Sequence, residues 1–115
     1  MSRVMLCHMD RADDRALLPG GLDLVDCDAQ DSVVDQVALL HPDLVIYELR
    51  ENSDADLAVL KLLRRIAPRT PLVVVGVEES PAWETPADLR PLYYAPRPIE
   101  REGLRGTLEF ALGRR

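Results

Sequence analysis

Leu44-Val45-Ile46-Tyr47 is an unbroken apolar run dominated by β-branched and aromatic residues, and no other short stretch constrains the chain so tightly. His41-Pro42 closes the element before it, because proline cannot continue a helix. A short continuous apolar run bounded in this way predicts a strand buried on both faces, in the middle of a parallel sheet. Glu48 follows at once and sets a carboxylate at the strand's C-terminal end. In open α/β sheets that edge collects ligands and chemistry.

The rest of the chain alternates around this stretch. Arg3 to Cys7 predicts strand one, apolar at Val4, Met5 and Leu6, with His8-Met9-Asp10 as the loop after it. Asp10 or Asp13 can cap a short helix to about Leu18, stopped by Pro19-Gly20-Gly21. Leu22, Leu24 and Val25 predict a more alternating strand nearer an edge. Val33, Val34, Val37, Ala38 and Leu40 form a helical stripe. Leu57, Leu60, Leu63 and Ile66, with Val59 and Leu62 between them, mark the strongest helix, closed by Pro68 and Pro71.

Leu72 to Val75 is a further buried strand, followed by Gly76. Pro81, Pro86 and Pro91 interrupt the next segment, which has room for one short helix near Ala87 to Arg90. Leu92 to Ala95 is the fifth strand, ended by Pro96-Arg97-Pro98. A last helix runs from Glu100 to Leu112, with Leu104, Leu108 and Ala111 on one face and Gly103 and Gly106 weakening it. Repeated β-α alternation predicts a doubly wound parallel sheet with right-handed crossovers, and the five-stranded solution has order 2-1-3-4-5. That order gathers His8, Met9 and Glu48, and Gly76 and Arg97, at one rim.

Composition narrows the function. A net charge of −6 disfavours duplex nucleic acid, which needs a basic face. No apolar run nears the roughly 18 residues of a membrane span, and no secretory leader pattern is present, so a cytoplasmic protein is expected. Cys7 and Cys27 are too few for a disulfide scaffold and are expected as reduced thiols, Cys7 as a small core residue. His8 with Cys7, Cys27 and Glu48 matches no zinc spacing, and no catalytic triad, P-loop or dinucleotide fingerprint occurs. No metal, no cofactor and no enzymatic activity are expected.

Three segments stand together in order: Pro-Asp-Leu-Val-Ile-Tyr-Glu-Leu around Glu48, Thr-Pro-Leu-Val-Val-Val-Gly ending at Gly76, and Tyr-Ala-Pro-Arg-Pro-Ile around Arg97. On these the chain resembles a response-regulator receiver domain, a flavodoxin-like fold, over essentially its whole length. One domain over residues 1–115 is expected.

The resemblance carries chemistry residue by residue. Where the family has its phosphate-accepting aspartate, this chain has Glu48. The two acidic residues that help hold Mg²⁺ are matched by His8 and Met9, with Asp10 next. The Thr or Ser after strand four is matched by Gly76, and the family's Lys by Arg97. The aromatic switch position is retained as Tyr94. Asn52 replaces the usual proline of the loop after strand three. An imidazole and a thioether are poor ligands for Mg²⁺, which takes hard oxygens. Glu48 is one methylene longer than aspartate, and Gly76 has no hydroxyl.

The resemblance therefore implies an atypical receiver, signalling through protein contact without the Mg²⁺-dependent phosphorylation cycle. Glu48 paired with Arg97 could imitate a phosphorylated aspartate. Arg97-Pro98 is the candidate cis bond. Trp83, Leu92 and Tyr94 are the candidate partner surface, on the face that receivers build from their fourth helix, fifth strand and fifth helix and use for homodimers and downstream proteins. The alternatives are phosphorylation on Glu48 or another acid such as Asp10, a small ligand in the crevice above His8, Glu48 and Arg97, and a purely structural dimerisation role.

Overall fold

The structure is a computed structural model and describes residues 2–9, 12–27, 33–49, 54–76, 89–96 and 99–113. Five strands, β1 (Arg3–Cys7), β2 (Asp23–Cys27), β3 (Leu44–Glu48), β4 (Leu72–Val75) and β5 (Tyr93–Ala95), form one sheet in the order β2-β1-β3-β4-β5. Every pairing is parallel, with Cys7 beside Cys27 and Tyr47, and Glu48 beside Val75. Among the described residues the helices are α1 (Ala12–Arg15), α2 (Val33–Leu40), α3 (Asp54–Ile66) and α4 (Arg101–Ala111).

Strand periodicity divides the core in two, because successive side chains point to opposite faces. Met5, Cys7, Val45, Tyr47, Leu72 and Val74 face one way and pack under Val33 and Val37 of α2 and Leu60 and Leu63 of α3. Val4, Leu6, Leu44, Ile46, Val73 and Val75 face the other way and pack under Leu18 and Leu104 and Leu108 of α4. The central strands are therefore buried on both faces, whereas β2 alternates, as an edge strand should. Arg15 of α1 pairs with Asp26 of β2 and donates to the Met9 carbonyl at 3.1 Å.

Several helical expectations change. α1 ends at Arg15 rather than near Leu18, because Leu17 and Leu18 close i→i−3 bonds to Asp14 and Arg15 and tighten the chain ahead of Pro19. In α2, Val33 and Val37 are buried but Ala38 and Leu39 face outward. In α3 the three-residue spacing slips against the ~3.6-residue turn, so Leu60 and Leu63 are buried while Leu62 and Ile66 are exposed. Asp56 takes the buried place at the start of that stripe.

Of the short helix expected near Ala87 to Arg90, residues 87 and 88 lie outside the described residues. Leu89 is in a turn and Arg90 has a φ of 44°, because the following Pro91 disfavours right-handed helical backbone. Leu92 stands one residue before β5, yet its N–H still donates to the Leu72 carbonyl at 2.7 Å. The Arg64 guanidinium ties this corner together. It donates to the carbonyls of Leu89 (2.7 Å), Thr70 (2.9 Å), Pro68 (3.2 Å), Ala67 (3.3 Å) and Arg90 (3.4 Å). Among the described residues no helix is long and apolar enough to cross a membrane.

Candidate functional site at the C-terminal rim of the sheet

The parallel register sets the site. β1, β3 and β4 end at adjacent positions, so His8, Glu48 and Gly76 come to one rim. Glu48 is half-buried as the last residue of β3, and the next amide, of Leu49, donates to the Val75 carbonyl at 2.9 Å. The neighbouring positions Asp10, Trp83, Arg97 and Pro98 lie outside the described residues, as does Asn52.

His8 is buried, only 2% exposed, and occupies the left-handed region at φ 63°. That conformation costs a non-glycine residue on the order of 1–2 kcal/mol. It reverses the chain directly after β1, and two contacts go with it. The His8 N–H donates to the Cys27 carbonyl at 3.3 Å, and the imidazole and Tyr47 rings meet in a T-shaped contact, centroids 5.3 Å apart at 87°. Met9 is 2% exposed and belongs to the hydrophobic cluster with Val4, Leu6 and Val75. Its thioether serves packing on the α4 side of the sheet. Among the described residues no group of three His, Cys, Asp or Glu side chains is placed to hold a metal.

Tyr47 makes the contact that the sequence left unread. It is fully buried, and its hydroxyl donates to a carboxylate oxygen of the buried Asp56 at 2.8 Å. A buried tyrosine needs a partner for its O–H, and Asp56 sits in the first turn of α3. The sequence signal for it is an aspartate at an otherwise apolar-facing position of α3. His8, Tyr47 and Asp56 thus link the end of β1 through β3 to the start of α3.

Gly76 and Tyr94 form the second half of the site. The buried Gly76 donates its N–H to the Ala95 carbonyl at 2.8 Å. A Cβ at Gly76 would stand 2.9 Å from Cζ of Tyr94 and closer still to its hydroxyl. The phenol therefore lies inward, over the volume that a threonine or serine side chain would fill. Tyr94 is half-buried against the α2–α3 side of the core, and desolvation by that burial raises its pKa above the ordinary tyrosine value. Its neighbour Tyr93 points to the opposite face, where its hydroxyl would be 2.6 Å from a Cβ at Gly103. Gly103 lowers helix propensity, yet it also admits that phenol.

Cys7 and Cys27 are buried reduced thiols paired in register on β1 and β2. The hydrogen bond to Cys27 pushes the Cys7 pKa up, and burial adds to it. Low-pKa, accessible thiols are the reactive ones, so this pair belongs to the core.

Solved structures match this arrangement along nearly its full length. A response regulator protein from Burkholderia multivorans has a TM-score of 0.67 and 24% identity, covering 100% of this chain and 98% of that one. The chemotaxis response regulator CheY4 of Vibrio cholerae has a TM-score of 0.70 and 16% identity, covering 96% and 98%. The signal receiver domain of a modulated diguanylate cyclase from Desulfovibrio desulfuricans G20 has a TM-score of 0.70 and 17% identity, covering 98% and 94%. The fold is that of a response-regulator receiver domain. No family model matches the sequence, and no curated protein matches it.

Proposed function

We propose that this chain is a single pseudo-receiver domain over residues 1–115, a non-enzymatic signalling module that acts by protein contact without Mg²⁺-dependent aspartyl phosphorylation. The observation that carries the reading is the seat of Tyr94 over Gly76. In the receiver family a hydroxyl at this position engages the phosphoryl group and the aromatic follows it inward. Here the inward place is filled with no hydroxyl required, so the conformation does not depend on phosphate.

The rest of the rim supports the same reading. Met9 is committed to the core and His8 is packed against Tyr47, so neither supplies the hard oxygen that Mg²⁺ takes. Glu48 retains a carboxylate at the acceptor position, with Arg97 as its candidate pairing cation. The partner surface of the proposal is Trp83, Leu92 and Tyr94, of which Leu92 is 41% exposed beside β5. Aromatic and apolar groups of this kind anchor protein interfaces.

The test is a backbone amide NMR titration with Mg²⁺ and then beryllofluoride. The expected result is a spectrum without shifts at residues 8–10, 48–50, 76–77 and 94–97. Clustered saturable shifts there, or acyl phosphate on Glu48 after incubation with a small phosphodonor, would overturn the proposal.

A further inference from the structure

α3 turns two short rows of side chains to solvent. Its inner side is held by the buried Leu60 and Leu63. On its outer side Leu62 and Ile66, 48% and 45% exposed, stand four residues apart and form an apolar row. Lys61 and Arg65, both exposed and also four residues apart, form a cationic row beside it. A hollow of about 420 Å³ is lined by Lys61, Leu62, Arg64 and Arg65.

Two further cations stand at the end of these rows. Arg64 donates to the carbonyls of Pro68, Thr70 and Arg90, which gathers the turn carrying Arg69 and the segment ahead of β5 around the helix C-terminus. Arg69 and Arg90 are both exposed. Burial, and after it the charge of Arg90, push the Arg64 pKa down, so the positive charges crowd one another. The helix dipole favours cations in the last turn. That accounts for Arg64 and Arg65, but not for Arg69 and Arg90, which arrive from other segments, nor for the exposed aliphatic row. The chain carries a net charge of −6, yet among the described residues no carboxylate pairs with Lys61, Arg65, Arg69 or Arg90. The complement of this corner is negative and partly apolar.

The layout selects the kind of partner. The cations are strung along the helix and the turn after it, and Arg64 directs its donors at carbonyls, so a compact anion finds no converging set of donors. None of the patch residues is aromatic, so bases find no stacking platform. Rows at four-residue spacing are the ridges against which a second helix packs. A partner helix with carboxylates four residues apart repeats the rise of about 6 Å between Lys61 and Arg65.

We propose that the solvent face of α3 is a docking surface for an acidic amphipathic helix of a partner protein, whose carboxylates meet Lys61 and Arg65 and whose apolar stripe covers Leu62 and Ile66. The inference rests on the protein-contact reading and names the chemistry of one partner. It uses neither the Glu48 rim nor phosphoryl chemistry, so its failure leaves the titration above to judge the pseudo-receiver reading.

The experiment is an amide NMR titration of the full chain with a synthetic peptide of about 18 residues, long enough to hold a helix, with glutamates four residues apart beside a leucine stripe. The expected result is saturable shifts confined to α3, the turn at 67–70 and Arg90, with an affinity that falls as salt rises. Lys61→Glu combined with Arg65→Glu weakens binding about tenfold or more, and Leu62→Ser about threefold. A peptide with lysines in place of its glutamates binds the charge-reversed protein and not the wild type. Circular dichroism checks that the variants fold, and the shift map on the wild type stands without them. Absence of saturable shifts on these residues overturns the proposal, as does binding that the charge reversal leaves unchanged. So does equal or tighter binding there of pyrophosphate, oligothymidylate or phosphatidylserine vesicles, which would mark an anion site, a nucleic-acid site or a membrane surface instead.

Discussion

The Tyr94 phenol rests over Gly76, in the space that any larger residue at position 76 would need. Two positions far apart in sequence thereby become one structural unit. Gly76 is anchored from the other side by its N–H bond to the Ala95 carbonyl, so the loop after β4 cannot simply step away. The Tyr94 ring is held in place by packing against Gly76.

Gly76→Thr therefore expels Tyr94 or strains the loop. Overpacking of this kind costs about 1–3 kcal/mol, read as a lower denaturation midpoint. The coupling is specific. Adding Tyr94→Ala to Gly76→Thr recovers part of the loss, and a double-mutant cycle gives a coupling of about 0.5 kcal/mol or more. Strict additivity of the two substitutions would show that the residues do not share the space.

Tyr47→Phe removes the O–H that reaches Asp56 at 2.8 Å. The buried acceptor then loses a donor, a change that costs about 1–3 kcal/mol. Tyr47→Phe with Asp56→Ala should cost less than the sum of the single substitutions, since no carboxylate remains to be satisfied. Chemical denaturation of the three variants measures it. The T-shaped contact of the His8 and Tyr47 rings should persist in Tyr47→Phe because the ring is retained, so the His8 ring-proton shifts should stay close to those of the wild type.

Arg64→Lys is expected to fail as a conservative change. A guanidinium spreads several donors in one plane, whereas an ammonium is a point charge. Arg64 reaches carbonyls from both the turn after α3 and the approach to β5. Losing most of these bonds costs about 1.5–3 kcal/mol. Hydrogen exchange should quicken at Leu92, whose amide is held at 2.7 Å by Leu72, while amides of β1 keep the exchange of the wild type.

Sheet order and the fold class were legible because the apolar runs at Leu44–Tyr47 and Leu72–Val75 are uninterrupted and the helices between them are amphipathic. Helix faces were less legible. A strict three-residue spacing in α3 looks like one stripe, but helical rotation carries Ile66 out to solvent. The rim could be assembled from strand ends alone, yet side-chain direction could not. Nothing in the sequence says that Met9 turns into the core, that His8 takes a left-handed backbone, or that Tyr94 lies over Gly76. Each depends on a contact between segments far apart in the chain, and local pattern carries no information on that. Gly103 and Gly106 look alike in sequence, whereas in the fold one admits the Tyr93 phenol and the other opens to solvent.

The alkaline limb of stability carries a final expectation. The folded-state pKa of Cys7 is raised, first by its hydrogen bond to Cys27 and then by burial, and that of Tyr94 is raised by desolvation. In the unfolded chain a cysteine titrates near ~8.5 and a tyrosine near ~10. Above each of those values the folded state holds a proton that the unfolded state has lost, so stability falls as pH rises. Below about pH 8 both contributions are fully present and this part of the profile is flat. The denaturation midpoint should thus begin to drop above about pH 8.5 and drop further near pH 10. Cys7→Ala should reduce the first step and leave the second, and Tyr94→Phe should reduce the second and leave the first. A wild-type profile that stays level, or rises, between pH 8 and pH 10 would sink this assignment of the protected protons.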